Sequence, residues 1–208
     1  MEGARLAAAA GADVLTVQGN DAGGHTGTVS LLPFLVRAVD EFPDLPVVAA
    51  GGIGDGRSLA AVLAAGREGT WMGTAFNAVQ EADEVADAHK ELIVASDGEN
   101  TIQTQIFDIV NTRLAGNADW PDGVSGRAYN NRFAREWHGR ENELRGRLDE
   151  IIPTYREARQ RGDLETGSAW FGKAAAFVSA IKPAGEVLRT ICDDAEHHLR
   201  QRYVQSIQ

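Results

Sequence analysis

Val47-Val48-Ala49-Ala50-Gly51-Gly52-Ile53-Gly54-Asp55-Gly56-Arg57 sets a short apolar run, a glycine-rich turn and a helix start in immediate succession. Pro46 to Ala50 reads as a strand, because β-branched and small apolar residues are bounded by Pro on one side and Gly on the other. Asp55 offers an N-cap, and the small apolar residues that follow predict a helix to about Ala65. Reading outward, Gly3 to Ala10 predicts a helix ending near Gly11, and Asp13 to Gln18 a buried strand. Val29 to Phe42 predicts a helix with apolar residues at 31, 32, 35, 36 and 39, closed by Pro43, and Thr70 to Phe76 a third strand. Strand and helix alternate with a period of roughly 25 to 30 residues, which implies parallel strands with right-handed crossovers. The expected class is α/β.

Beyond residue 77 the pattern changes. Ala82 to Ala95 reads as a helix, Thr101 to Val110 as a strand, and Trp120-Pro121-Asp122-Gly123 as part of a loop. Arg127 to Glu150 is charged and helical in pattern, with Pro153 expected to break or kink the helix. Trp170 to Val178 is small and apolar, and Ala184 to Val204 reads as an amphipathic terminal helix. This half is expected to be an elaboration packed beside the sheet or barrel of the first.

The 208 residues are 43% hydrophobic and 24% charged, with a net charge of -10, the balance of a core-forming protein. Residues 1–100 carry 15 acids against 5 bases, whereas residues 101–208 carry equal numbers, so neither half has a basic footprint and no nucleic-acid partner is expected. One cysteine, Cys192, permits no internal disulfide and reads as a small core residue. The N-terminus has no basic leader followed by a bulky apolar stretch, and the longest uncharged run, Ala22 to Val36, is short for a membrane span. The expectation is a cytoplasmic protein without membrane or metal. His197 and His198 read as a solvated face, and Trp137 to Glu141 suggests no chemistry.

Three glycine-rich segments fall at the C-terminal ends of successive strands, where parallel α/β folds bind ligands. They are Gln18 to Gly27, Gly51 to Gly56, and Trp71 to Thr74. A Gly-Gly pair lets backbone approach an anion, and a following helix start offers N–H groups. Singly, such glycines also serve tight turns. Together, the pairs at 51–52 and 73–74 suit one phosphate held between neighbouring strands. A dinucleotide fingerprint beginning at Gly52 fails because position 57 is Arg57, and no Gly-Lys-Ser/Thr follows for a Walker loop. A mononucleotide such as FMN fits better. His25, among Gly23, Gly24 and Gly27, is expected on a flexible open loop facing the barrel mouth. It is the one side chain there that changes charge near neutral pH, and it reads either as a hydrogen-bonding residue or as a catalytic one.

Val17-Gln18-Gly19-Asn20-Asp21-Ala22-Gly23-Gly24-His25-Thr26-Gly27, Val47 to Arg57, and Met72-Gly73-Thr74-Ala75-Phe76 together resemble the nitronate monooxygenase family, formerly called 2-nitropropane dioxygenases. Trp170 to Phe177 extends the resemblance to the small-residue segment that follows the barrel in these proteins. The resemblance implies an FMN-binding (β/α)8 barrel that uses molecular oxygen to oxidise alkyl nitronates, or nitroalkanes, to a carbonyl compound and nitrite. It implies flavin contacts at Gln18, Gly23 and Gly24, phosphate contacts at Gly51, Gly52, Trp71, Met72, Gly73 and Thr74, and a base or substrate-positioning role for His25. Asp21 stands where the family usually has Glu, Trp71 where it has Gln, and Lys173 to Ala176 where a glycine-containing segment is commoner.

A closed barrel takes about 250 residues, and the motifs match the family's last three strands. Residues 1–77 are therefore expected to be the last three βα units and residues 78–208 a helical lid or C-terminal extension of the same domain. The chain looks like the C-terminal portion of a longer protein, its open edges covered by a missing N-terminal segment or by self-association. Two alternatives accompany the leading reading. One is an oxidoreductase like the flavin-dependent enoyl-ACP reductases, which share the barrel and the Gly-Gly-His loop, and the other is an inactive fragment or non-catalytic partner.

Overall fold

Val47–Ala50 does form a strand, the central one of a parallel three-stranded sheet. The computed structural model describes residues 1–66, 68–116, 120–121 and 123–205. Asp122, within the predicted loop, lies outside them. In the first 77 residues the described elements are α1 (Glu2–Ala9), β1 (Leu15–Gln18), β2 (Gly24–Thr26), α2 (Leu31–Glu41), β3 (Val47–Ala50), α3 (Gly56–Ala64), β4 (Gly69–Trp71) and α4 (Thr74–Asn77). The sheet order is β1-β3-β4, with Leu15 opposite Val47 and Val48 opposite Gly69, so consecutive βα units lie side by side. Leu15 and Val17 of β1, Val47 and Ala49 of β3, Leu35 and Ala38 of α2, and Val62 of α3 bury a common core. The chain is α/β, as its alternation predicted.

Asp55 caps α3 as expected. Its carboxylate accepts from the Ser58 backbone N–H at 2.8 Å, while the Ser58 hydroxyl accepts from the Asp55 N–H, a reciprocal capping box. The third strand is shorter than predicted: it ends at Trp71, and Thr74 already begins a helical turn.

The second half comprises α5 (Asp87–Val94), β5 (Thr101–Thr104), α6 (Ile106–Ala115), β6 (Ser125–Tyr129), α7 (Arg132–Trp137), α8 (Glu141–Gly146), α9 (Leu148–Gln160), a 3-10 turn at Lys173–Phe177 and α10 (Ala184–Gln205). The predicted strand Thr101 to Val110 is in fact β5 followed by the start of α6. Ile106, Phe107, Asp108, Ile109 and Val110 are all buried, so the apolar run carries no helical stripe by which to distinguish the two. Arg127 to Glu150 likewise contains most of a strand before its helices, the first of which is capped by the Asn131 side chain. Pro153 sits inside α9 without ending it. The carbonyl it leaves without a helical donor belongs to Asp149, an exposed first-turn residue that water reaches.

Besides β6, sequence reading missed β2. It pairs antiparallel with β6, His25 opposite Gly126, and β6 pairs with β5, so a second sheet of order β2-β6-β5 joins the two halves. Behind it Phe107, Val110, Phe133, Trp137 and Tyr155 form a second core. On the far side, α10 lies close against α3, because Gly56 has no side chain: a Cβ there would stand 2.3 Å from the Asp194 Cβ. Cys192 is exposed and not a core residue, since the buried stripe of α10 runs through Ile191 and Ala195 instead. Among the described residues no helix is long and apolar enough to cross a membrane.

Candidate functional site

The C-terminal ends of β1, β3 and β4 open onto one cavity of about 240 Å³. Gln18, Gly23, Gly24, Gly51, Gly52, Trp71, Gly73 and Thr74 all line it, and Trp170, Phe171 and Ala174 close its opposite side. Of the residues predicted to hold a cofactor, Met72 alone is absent from the lining. Its side chain packs on the core beneath the first sheet, leaving only its backbone near the strand ends.

The glycines do different things. Gly51 and Gly52 have φ of +103° and +69°, conformations that side chains rarely adopt, and a Cβ on Gly51 would stand 2.9 Å from the Gly19 carbonyl. Gly73 faces open space, with nothing within 4 Å of an added Cβ. It is also the N-cap of α4, with no side-chain bond to the first N–H groups of that turn. By contrast, Asp55 satisfies the start of α3 itself.

Gly23 serves packing as well as the cavity. A Cβ there would lie 2.5 Å from the Gly172 nitrogen, and the reciprocal Cβ on Gly172 would lie 2.5 Å from the Gly23 nitrogen. The Lys173 N–H donates to the Asp21 carbonyl at 3.0 Å, and the Gly172 N–H donates to Thr74 Oγ1 at 2.9 Å. These contacts seat the Trp170 to Ala174 segment across the strand ends.

Charge at the rim is mixed. The Asp21 carboxylate lies beside Gly52, with Oδ2 3.7 Å from where its Cβ would be, and Lys173 Nζ approaches Asp21 Oδ1 at 3.7 Å. Arg127, buried on β6, donates to the Asn20 carbonyl at 2.9 Å and to Thr101 Oγ1 at 3.2 Å, fixing the loop before Asp21. Burial pushes this guanidinium below its ordinary value, and Asp21 opposes the shift. Trp71, 66% exposed, stands at the outer edge.

His25 is not on an open loop. It belongs to β2, held by pairing with β6, and its Nε2 lies 2.6 Å from Asp108 Oδ1. Its ring stacks on Trp120 at 3.9 Å between centroids and tilts against Trp170 at 5.4 Å. Trp170 thus walls both the cavity and the imidazole. Burial pushes the Asp108 carboxyl upward, and the bond and charge of His25 oppose this. Its second oxygen, Oδ2, is buried without a partner among the described residues. Asp108, Trp120, Trp170 and Arg127 received no role from the sequence, although a lone acid in Ile106-Phe107-Asp108-Ile109-Val110 was a usable signal.

Comparison with known proteins adds to this geometry. A family model described as nitronate monooxygenase matches residues 1–194. A nitronate monooxygenase of Neurospora crassa is 33% identical over 207 residues, covering 95% of this chain and 52% of the relative. Another from Metarhizium robertsii is 35% identical over 195 residues, covering 88% and 52%. The chain thus spans about half the length of the curated relatives it matches. Among solved structures, FabK from Thermotoga maritima superposes with a TM-score of 0.80 at 32% identity, covering 97% of this chain and 60% of that one. A nitroalkane oxidase from Streptomyces ansochromogenes gives 0.72 at 31% identity, covering 97% and 56%.

Proposed function

The chain belongs to the nitronate monooxygenase family, and on that premise we propose that it carries the phosphate-binding strand ends and the proton-accepting histidine of an FMN-dependent oxidoreductase. The substrate is an alkyl nitronate or its parent nitroalkane, oxidised with molecular oxygen to a carbonyl compound and nitrite. In this reading β1, β3 and β4 are the last three strands of a (β/α)8 barrel, and residues 78–208 are its elaboration, working in the cytoplasm.

One observation carries the reading: the separately predicted glycine segments converge on a single cavity that shares the Trp170 wall with His25. The residues fit a flavin phosphate. Gly51 and Gly52 bring bare backbone to the cavity, Gly73 leaves room where a Cβ would intrude, and the uncapped start of α4 favours an anion. The Asp21 carboxylate opposes an anion, and Lys173 offsets it. Gln18 sits at the end of β1 to bond a polar ring edge. When bound, FMN supplies the electron transfer to oxygen. The chain's own part is to hold the phosphate, wall the site with Trp170 and Phe171, and manage a proton at His25. Neutral imidazole accepts the acidic α-proton of a nitroalkane, and the imidazolium then holds the anionic nitronate.

The test is flavin absorbance of the protein after loading with FMN, followed by oxygen uptake and nitrite release on adding a nitronate. A flavin-loaded protein that consumes no oxygen with any alkyl nitronate refutes the reading. The FabK likeness fits a second reading, a flavin-dependent enoyl-ACP reductase. Reduction of the bound flavin by NADH or NADPH, without response to nitronates, is its signature.

A further inference from the structure

Asp108 is 83 positions from His25 in sequence, yet its Oδ1 is the one hydrogen-bond partner of the ring among the described residues. An ionised carboxylate only accepts, so a 2.6 Å contact places the proton on Nε2. In a neutral imidazole the other nitrogen then carries the lone pair. Nδ1 has no partner among the described residues, and the His25 side chain is 28% exposed. The ring cannot easily turn. Trp120 stacks on it, the backbone on either side is held in β2, and Asp108 sits on α6 between Phe107 and Ile109, both packed in the second core.

From this geometry we infer that Asp108 is a positioning residue that holds His25 in its Nε2–H form, making Nδ1 the atom that takes the substrate proton. The inference rests on the functional reading above and deepens it. In the step concerned, the Cα–H bond of a nitroalkane breaks, its proton goes to Nδ1, and its electron pair moves into the nitro group to give the nitronate. The imidazolium so formed faces a carboxylate whose other oxygen is buried and unpartnered, leaving the charge on Asp108 to be met by His25. A preformed nitronate has no α-proton to lose and needs no such step.

Two variants, Asp108→Ala and Asp108→Glu, test the assignment in two ways. The first uses the flavin-free protein labelled with 15N-histidine, with the His25 signals identified by their loss in His25→Gln. The wild type is expected to show Nε2–H, Asp108→Ala a mixture of tautomers, and Asp108→Glu a return towards the wild-type state. The second compares substrates in the FMN-loaded protein. Asp108→Ala is expected to lower kcat for a neutral nitroalkane by about tenfold to a hundredfold with little change in KM, to slow oxidation of the preformed nitronate by clearly less, because only the holding of its charge and no proton transfer is affected, and to be partly rescued by Asp108→Glu. An unchanged tautomer in Asp108→Ala, or equal losses on both substrates, overturns the assignment. A wild type inactive on both substrates sinks the functional reading instead, and the tautomer measurement then decides the Asp108 assignment alone.

Discussion

His25 Nε2 and Asp108 Oδ1 stand 2.6 Å apart across the junction between β2 and α6, which makes the histidine part of a rigid pair and not a loop residue. The pair joins the glycine-rich first half of the chain to the helical second half, and Trp170 connects it to the cavity at the strand ends.

Removing the imidazole tests its chemistry directly. General base catalysis is typically worth about 10²- to 10⁴-fold, and His25→Ala is expected to slow nitroalkane oxidation by that order while flavin stays bound, since His25 does not line the cavity. Steady-state oxygen uptake together with flavin absorbance checks both halves, and undiminished turnover removes His25 from the mechanism.

The buried carboxylate also leaves a mark on stability. Asp108 is pushed above its ordinary value of 3.8, chiefly by burial. The folded state then binds this proton more tightly than the unfolded state, so the stability linked to it is full below the unfolded value and is lost as pH rises through the folded one. Asp108→Asn has no such proton. Its stability is expected to match the wild type in acid and to equal or exceed it near neutrality. Urea unfolding of both proteins across that range measures this, and an Asn variant less stable at neutral pH than in acid, relative to wild type, contradicts it.

Gly73 offers the cleanest probe of the proposed phosphate site. Its φ of -90° suits any residue and an added Cβ meets no atom within 4 Å, so Gly73→Val is expected to fold with little change in melting temperature. The side chain would occupy the space in front of the uncapped α4. FMN affinity is expected to fall by about tenfold or more, equivalent to roughly 1.4 kcal/mol, and riboflavin affinity by less. Parallel titrations with the two flavins decide the matter, and equal losses count against a phosphate at this position.

How much of this the sequence revealed depends on how local each signal is. The Asp55 cap and its helix were legible because the bonds that make them span three residues. The parallel units were legible because α2 and α3 are long enough to show their pattern and glycine turns mark the strand ends between them. β2 was not, being three residues, polar in part and flanked by glycine, and its partner β6 lies some hundred positions away. A separation of 83 positions likewise hid Asp108 from His25. Glycines were half legible: their clustering marked the strand ends, but Gly23 carries the same letter whether it admits a ligand or the backbone of Gly172. The fully buried start of α6 was misread for the opposite reason, because apolar residues on every side erase the period that separates helix from strand.

Gly126 ties stability to the site through Trp170. A Cβ on Gly126 would lie 2.2 Å from the Trp170 ring, far inside contact distance, and that ring walls both the cavity and His25. Gly126→Ala must therefore displace the indole or bend β6 between its two partners. Overpacking of this kind costs about 1 to 3 kcal/mol, so chemical denaturation is expected to show a loss in that range, accompanied by a change in tryptophan fluorescence as Trp170 moves. Because the displaced ring no longer braces His25, nitroalkane turnover is expected to fall in the variant even at temperatures where it remains folded. A variant that loses stability but keeps full turnover would separate the two roles and leave Trp170 as packing alone.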